Sequence, residues 1–310
     1  MNQSGEARSS PSERPRWAWP LLFAAVLAVS TGALFVRLAD PAPAMAKAAW
    51  RCTIAALVLL AVGHQATARA WAEASPRTRR QLILAGFVLA VHFGTWILSL
   101  SYTTVTSTMV LGSTAPAWTA LLAPRLIGER TTRAQWQGIL LCGVGIALLA
   151  FWPDASPGGD SAGPTASQPL LGNLLALAGA ISFSLFLIVG RTAQRSVPAL
   201  PYLGIAYAGA AVFLILGCLL LGLPLTGFDA RTYGWLLALA LVPQLIGHSG
   251  YNLALRFFSA ATVSILLIGE PIFGTVLAWL FLAEPPTTGE LLGGVFLLLG
   301  IVRTARGAAR

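Results

Sequence analysis

The chain has 310 residues, of which 56% are hydrophobic and only 10% are charged, and its mean hydropathy is +0.74. Soluble domains carry about 25% charged residues, so the composition excludes a single soluble globular domain and is typical of a membrane protein. The formal net charge of +9 would fit a nucleic-acid-binding protein, but the positions of the cations, described below, indicate membrane orientation instead.

Ten apolar stretches are long enough to cross a bilayer, for which a helix needs about 20 residues. A polar segment rich in Ser, Pro and Arg precedes them at 1–16, and we expect it to be a disordered cytoplasmic tail. Residues 153–169 are rich in Pro, Gly and Ser, which is typical of a flexible linker, and residues 306–310 form a second cytoplasmic tail. The predicted spans are 17–37, 44–63, 81–101, 105–124, 134–152, 170–190, 200–222, 232–252, 260–282 and 288–305.

The two halves of the chain, 17–152 and 170–305, resemble each other. A shift of 155 residues without gaps aligns Pro116 with Pro271, Glu129 with Glu284, Gly138 with Gly293 and Gly145 with Gly300. Because each half has an odd number of spans, the second half begins on the opposite side of the membrane. The predicted fold is therefore an all-α integral membrane protein with ten transmembrane helices in two inverted-topology five-helix repeats, an arrangement found in secondary transporters.

The cations are distributed unevenly between the two sides of the predicted bundle. Sixteen of the 20 fall in segments on one side, and the positive-inside rule identifies that side as the cytoplasm. The acidic residues Asp40, Asp229, Glu284 and Glu290 fall on the other side. We therefore predict that both termini are cytoplasmic and that the linker at 153–169 is periplasmic.

Glu270 lies about ten residues into the ninth predicted span, in the sequence SILLIGEPIF (264–273). An ionised carboxylate at that depth is costly unless it is paired or faces water, so we interpret Glu270 as facing a wet cavity. The other interpretation is a protonated carboxyl group that hydrogen-bonds a neighbouring helix. Pro271 follows directly, and its repeat partner Pro116 follows GSTA (112–115). Paired breaks of this kind indicate a transport site, and we predict that both prolines are hinges.

Polar and aromatic residues of three other spans are candidates for the same cavity. His92 and Trp96 are four residues apart in the third span, and His248 and Asn252 are four apart in the eighth, so each pair shares a helix face. Arg51, within the second span, is a candidate partner for Glu270 or for a carboxylate of the solute. For both histidines the alternative is a core position with one satisfied ring nitrogen.

Two motifs of common enzyme classes do not occur in the sequence. It has no phosphate-binding loop and no HExxH. The three cysteines have neither metal-ligand spacing nor a disulfide framework. We therefore expect that the protein is not an enzyme and that it binds no metal or cofactor.

Several of these features together resemble the EamA-type transporters of the drug/metabolite transporter superfamily. They are the inverted halves, the mid-span prolines, LAVHFGTW (89–96) with His92, Arg51 in the second span, GER (128–130) and AEP (283–285). The resemblance covers most of 20–305. It implies a bacterial inner-membrane carrier, often an exporter of amino acids or other metabolites, which works by alternating access about a central cavity. Some relatives exchange substrates or couple transport to protons.

Our hypothesis is a secondary transporter of a small polar or amphipathic metabolite, with the lipid bilayer, the solute and candidate coupling protons as its partners. Rocking of the halves near Pro116 and Pro271 would alternate access to the cavity. Glu270 would carry a proton or bind a substrate ammonium group. The alternatives are an uncoupled facilitator or exchanger, a channel, and an intramembrane enzyme with Glu270 and His248 as an acid–base pair. The predicted substrate-binding residues are Arg51, His92, Trp96, His248, Asn252 and Glu270.

Overall fold

Each secondary-structure element described in the computed structural model is helical, and no strand occurs among the described residues. The structure describes residues 15–151, 167–254, 257–258, 263 and 266–308. Residues 1–14 of the predicted tail and 153–166 of the predicted linker lie outside this part of the chain. The fold class predicted from composition is therefore confirmed as all-helical within the described residues.

The first half forms seven helices over 15–151, because two of its predicted spans are each divided in two. The first division is at Thr31 and the second at Ser113–Thr114. The helices are α1 (Ala18–Ser30), α2 (Gly32–Leu38), α3 (Ala44–Glu73), α4 (Pro76–Ser99), α5 (Val105–Gly112), α6 (Ala115–Ile127) and α7 (Arg133–Phe151).

The second half contains a segment of unusual helix geometry. Residues Ala240–His248 are π-helical and join two α-helices into one continuous rod over the eighth predicted span. The helices described in this half are α8 (Pro169–Ala193), α9 (Ala199–Leu220), α10 (Ala230–Leu239), α11 (Ser249–Ala254), α12 (Gly269–Leu282) and α13 (Thr288–Ala308).

Six helical segments in the described part of the chain are long and apolar enough to cross a membrane, so the protein is a multi-pass membrane protein. The apolar stretches of α7 and α12 are shorter, and the fourth and eighth predicted spans are divided by a break and by the π-helical segment. The total of ten transmembrane helices stays a prediction. The six segments are Ala18–Leu38, Ala44–Glu73, Pro76–Ser99, Pro169–Ala193, Ala199–Leu220 and Thr288–Gly307.

Both predicted hinge prolines lie in the first turn of a helix. Pro116 is the second residue of α6, and Pro271 is the third residue of α12. The sequence interpretation had Pro271 removing a hydrogen bond from the middle of a span. In a first turn the missing N–H has no partner within the helix in any case, so proline is tolerated there without breaking the helix. Both prolines thus lie at helix starts, and their role as hinges stays a prediction.

The last helices of the two halves, α7 and α13, pack antiparallel about a local two-fold axis. Gly138 faces Gly300, and Gly145 faces Gly293. Cys142 Sγ lies 3.8 Å from the carbonyl oxygen of Leu297, its own partner under the 155-residue shift. Reciprocal contacts of this kind are what a two-fold relation between equivalent helices produces. Small residues here let the two backbones approach closely, as in many membrane helix pairs.

The same two-fold relation extends to the other helices. In the antiparallel pair of α3 and α9, Gly63 lies against Leu200 and Gly217 against Met45. Helix α4 of the first half packs against α8 of the second, and reciprocally α1 packs against the π-helical segment and α11. The core therefore lies along the interface between the two repeats.

Replacing Gly145 with alanine is expected to destabilise the protein. The added Cβ would lie 2.7 Å from the carbonyl oxygen of Gly293 and 2.6 Å from Leu297 Cγ. Overpacking of this severity costs about 1–3 kcal/mol, so the thermal midpoint of the detergent-solubilised protein should fall. Gly143→Ala is the matched control, because its Cβ would meet nothing within 4 Å. Equal midpoints for the two variants would contradict the close packing of α7 and α13.

Candidate functional site

A cavity of about 240 Å³ lies between the two halves. Its wall combines charged, polar and aromatic side chains from both repeats. The first half contributes Arg51, His92, Phe93, Trp96 and Ser113, and the second half contributes Phe183, His248, Tyr251, Asn252 and Glu270.

All six predicted substrate-binding residues line this one cavity. They come from α3, α4, the π-helical segment, α11 and α12, so the fold brings together residues up to about 220 positions apart. Pro116 also lines the cavity, whereas Pro271 is buried outside its lining. Binding of a solute by the six residues stays a prediction.

Arg51 is a buried cation whose hydrogen-bond partner is neutral. The residue is only 2% exposed, and its Nε donates a hydrogen bond to Oε1 of Gln244. Its guanidinium carbon lies 4.2 Å from the centroid of the Phe93 ring, within the range of a cation–π contact. Among the described residues, no carboxylate lies within ion-pairing distance of Arg51. The positive charge is thus presented to the cavity without a paired anion.

The tautomer of His92 follows from its partner. Its Nδ1 lies 2.9 Å from the carbonyl oxygen of Gly179, and a carbonyl can only accept, so Nδ1 carries the proton. In the neutral ring Nε2 is then a hydrogen-bond acceptor. The ring also packs against Phe183, with 4.8 Å between centroids.

His248 ends the π-helical segment and shares its face with two residues of α11, as predicted from their spacing. Its Nδ1 lies 2.8 Å from the hydroxyl oxygen of Tyr251. The side-chain nitrogen Nδ2 of Asn252 donates a hydrogen bond to the backbone carbonyl oxygen of His248 over 2.7 Å. These contacts hold all three side chains on the same wall of the cavity.

Trp96 is held among three glycines on neighbouring helices. A Cβ at Gly112 would lie 2.8 Å from the indole nitrogen, and one at Gly179 would lie 3.1 Å from Trp96 Cβ. A Cβ at Gly32, on the third side, would lie 3.7 Å from Cη2 of the indole. The absence of side chains at these positions makes room for the indole beside the cavity.

Glu270 is the second residue of α12 and lies at the cavity wall. The first turn of a helix lies at the positive end of the helix dipole, which stabilises a carboxylate. Glu270 also interacts electrostatically with Arg51 across the cavity. The structure therefore supplies a reason why a carboxylate is tolerated here that the sequence interpretation lacked.

Sequence reasoning missed Gln244, Phe93 and Phe183. Gln244 is fully buried beside Arg51, and the two phenylalanines form aromatic walls next to the histidines. An amide in an apolar span next to Pro243 was a usable signal. No sequence signal marked the two phenylalanines, because an apolar residue in an apolar span has no distinguishing feature.

Among the residues that the structure describes, two ion pairs connect the repeats, one at each end of the bundle. Arg37 pairs with Glu284 at 3.4 Å, and Arg191 pairs with Glu129 at 2.7 Å. The glutamates are repeat partners under the 155-residue shift, and the arginines are 154 residues apart. Each pair thus contains one residue from each half, and the two pairs are equivalent under the internal two-fold relation.

The two ends differ in how tightly they are closed. The side chains of Arg37 and Glu284 are 11% and 13% exposed, whereas those of Arg191 and Glu129 are 60% and 39% exposed. Arg37 also donates to the carbonyl oxygen of Thr103 over 3.0 Å, and Glu284 accepts from the backbone N–H of Val105 over 3.1 Å. The end that carries Arg37 is therefore sealed by a buried network.

Comparison with known proteins gives a family match over both repeats. The sequence model of the EamA-like transporter family matches residues 16–151 and again residues 170–305. A crystal structure of a protein with 21% sequence identity superposes with a TM-score of 0.63 over 92% of this chain and 95% of that chain. At this identity the superposition establishes the fold alone.

Curated relatives are also named as transporters. The chain is 24% identical to the uncharacterised transporter sll1164 of Synechocystis sp. over 69% of this chain, and the alignment spans 61% of that relative's length. It is likewise 24% identical to the uncharacterised transporter YdfC of Bacillus subtilis, over 72% of this chain and 70% of the relative. An uncharacterised transporter of Clostridium kluyveri shows the same identity over 71% of this chain and 70% of the relative.

Proposed function

The chain belongs to the EamA-like transporter family, and we propose that it is a secondary transporter that exports a small amphipathic metabolite, such as an amino acid, by alternating access. The observation that carries this proposal is the cavity between the repeats. Residues from both halves line it, and it presents a cation and a carboxylate inside a membrane protein. Intramembrane charges of this kind are costly and mark substrate pathways.

The cavity wall fits a solute with two opposite charges and an apolar part. Arg51 supplies donors for a carboxylate, and Glu270 supplies an acceptor for an ammonium group or for a proton. Phe93, Trp96 and Phe183 supply apolar surface between them. Export from the cytoplasm is the direction that the family resemblance implies.

We place the protein in the bacterial inner membrane with both termini in the cytoplasm. The cation distribution supports this orientation, because the positive-inside rule counts Lys and Arg in short loops. The end of the bundle sealed by Arg37 and Glu284 is then the outer end, and the end with Glu129 and Arg191 is the inner end.

The paired ion pairs support an alternating-access mechanism. Because they are equivalent under the two-fold relation, the network that now seals the outer end has a counterpart able to seal the inner end. We propose that rocking of the halves buries the Arg191–Glu129 pair while it opens the Arg37–Glu284 pair. The difference in exposure supports a conformation that is closed at the outer end.

Proton coupling competes with uncoupled facilitation or exchange. Glu270 at the cavity wall supports coupling, because a carboxylate can carry a proton between the two sides. A channel would conduct without saturation, and an intramembrane enzyme would change its solute chemically. Flux measurements distinguish these alternatives.

Purified protein in liposomes should show saturable flux of one class of labelled solute among amino acids, nucleobases and polyamines. Under proton coupling, Glu270→Gln should lower gradient-driven uptake by about tenfold or more, because loss of a charged hydrogen-bonding group typically has effects of this size. Exchange of labelled for unlabelled solute should continue.

Glu73→Gln is the matched control, because Glu73 is an exposed acid at the end of α3, away from the cavity. It should transport like the parent protein. Equal loss of uptake and exchange in Glu270→Gln would contradict proton coupling. Non-saturating flux would indicate a channel, and a chemically altered solute would indicate an enzyme.

The two ends should respond in opposite ways when their glutamates are neutralised. We expect Glu284→Gln to open the outer end, because it removes one partner of the buried network there. A cysteine introduced at Ser113, in the cavity wall, should then react about tenfold faster with an impermeant maleimide added from outside, a shift of about 1.4 kcal/mol. Glu129→Gln, the repeat-related variant, should slow the same reaction or leave it unchanged.

The parent protein gives the baseline for this measurement, because Cys52, Cys142 and Cys218 are buried. Faster labelling in both glutamate variants would indicate general loosening and would contradict the proposed alternation.

A further inference from the structure

Most hydrogen-bond donors of the Arg51 guanidinium have no acceptor among the described residues. It carries five N–H groups, and the described residues accept one of them, the Nε–H that bonds Gln244. The four N–H groups on the two Nη atoms have no acceptor among the described residues, and the residue lines the cavity. Phe93 covers one face of the guanidinium plane and restricts its rotation. The edge of the guanidinium that carries the two Nη atoms is thus held in place at the cavity.

The partner that holds Arg51 is an amide rather than a carboxylate. Gln244 is fully buried, and its Oε1 accepts the Nε–H without cancelling the positive charge. A carboxylate at this position would neutralise Arg51 and occupy the site where an anion could bind. Glu270 acts on Arg51 only across the cavity, and Arg51 has no ion-pair partner among the described residues. A buried cation in this position is unfavourable, and a bound anion would relieve the cost.

The π-helical segment places Gln244 at this point. Pro243, the residue before it, has no N–H for the regular helix ladder, and the wider π-helical turn accommodates it. A Cβ added at Gly32 of α2 would lie 3.6 Å from Cβ of Pro243, so the π-helical segment packs directly against the first half. The hydroxyl of Tyr207 is a second polar neighbour of the Gln244 side chain. The Oε1 atom of Gln244 is thus held by Arg51, whereas its Nε2 has no hydrogen-bond partner among the described residues.

We propose that Arg51 and Gln244 form an oxyanion-binding subsite of the cavity, in which Gln244 positions the guanidinium and leaves its charge free for a carboxylate of the solute. The proposal rests on the function proposed above, because it requires that the cavity takes up a solute. It narrows the solute to molecules that carry a carboxylate. The planar guanidinium fork matches a carboxylate in a bidentate geometry, so amines and amides without this group are excluded.

The test uses carboxylates and their matched amides as probes of the full-length protein in detergent. The pairs are acetate with acetamide, benzoate with benzamide, and L-phenylalanine with L-phenylalaninamide. A ligand that binds the folded state raises its thermal midpoint in a concentration-dependent way. For the parent protein we expect at least one carboxylate to raise the midpoint and its amide to raise it at about tenfold higher concentration or not at all.

Gln244→Glu is the informative variant, because it keeps the size of the side chain and adds a charge that pairs with Arg51. We expect it to fold, since Tyr207 can donate to the new oxygen, and to bind the carboxylate about tenfold or more weakly. The ratio of carboxylate to amide affinity should fall towards one. Gln244→Leu leaves the positive charge of Arg51 unpaired but removes the hydrogen bond that positions its guanidinium. The ratio of carboxylate to amide affinity should therefore fall less than in Gln244→Glu.

Gln81→Glu is the matched control for the added charge. Gln81 bonds the hydroxyl of Thr192 at 3.0 Å, away from the cavity, and its variant should keep the parent ratio. The proposal is overturned if none of the carboxylates raises the parent midpoint, if amides bind equally well, or if Gln244→Glu keeps the parent ratio. Saturable flux limited to solutes without a carboxylate would retain the transporter and overturn this subsite alone.

Discussion

The cost of placing charge inside a membrane governs this structure. Arg51 and Glu270 cannot face lipid without a large penalty, and the fold keeps both at the same cavity between the repeats. Glu270 lies in the first turn of α12, where the positive end of the helix dipole stabilises a carboxylate. Arg51 lies between an amide and an aromatic face. The irregular features of the bundle, its half-helices and its π-helical segment, are thus concentrated where charge must be accommodated.

Duplication with inversion explains how one cavity can serve two sides. The axis passes near the contact of Cys142 with Leu297, so it relates positions of the two halves at opposite ends of the bundle. Ion pairs occupy such equivalent positions, yet one is buried and the other exposed. A symmetric sequence in an asymmetric conformation is what a carrier with two exchangeable states requires.

The sequence predicted the repeat, and it singled out six residues that line one cavity, because proline, glutamate and histidine are conspicuous in apolar spans. It placed Pro271 inside a span, whereas the structure has it at a helix start, since hydropathy cannot locate a helix start within an apolar stretch. Gln244 was missed because its role depends on a π-helical turn and on contact with α3. The equivalence of Arg37 with Arg191 was hidden by a one-residue change of register and became visible only through their partners.

The most direct test of the account is the distance between spin labels at each end of the bundle, measured with and without the solute that the flux screen identifies. Exposed positions suit the labels: Ser101 with Thr288 at the outer end, and Arg130 with Gln194 at the inner end. The account predicts that the outer distance lengthens as the inner one shortens. Distances that stay fixed, or that change in the same direction at both ends, would contradict alternating access between the two halves.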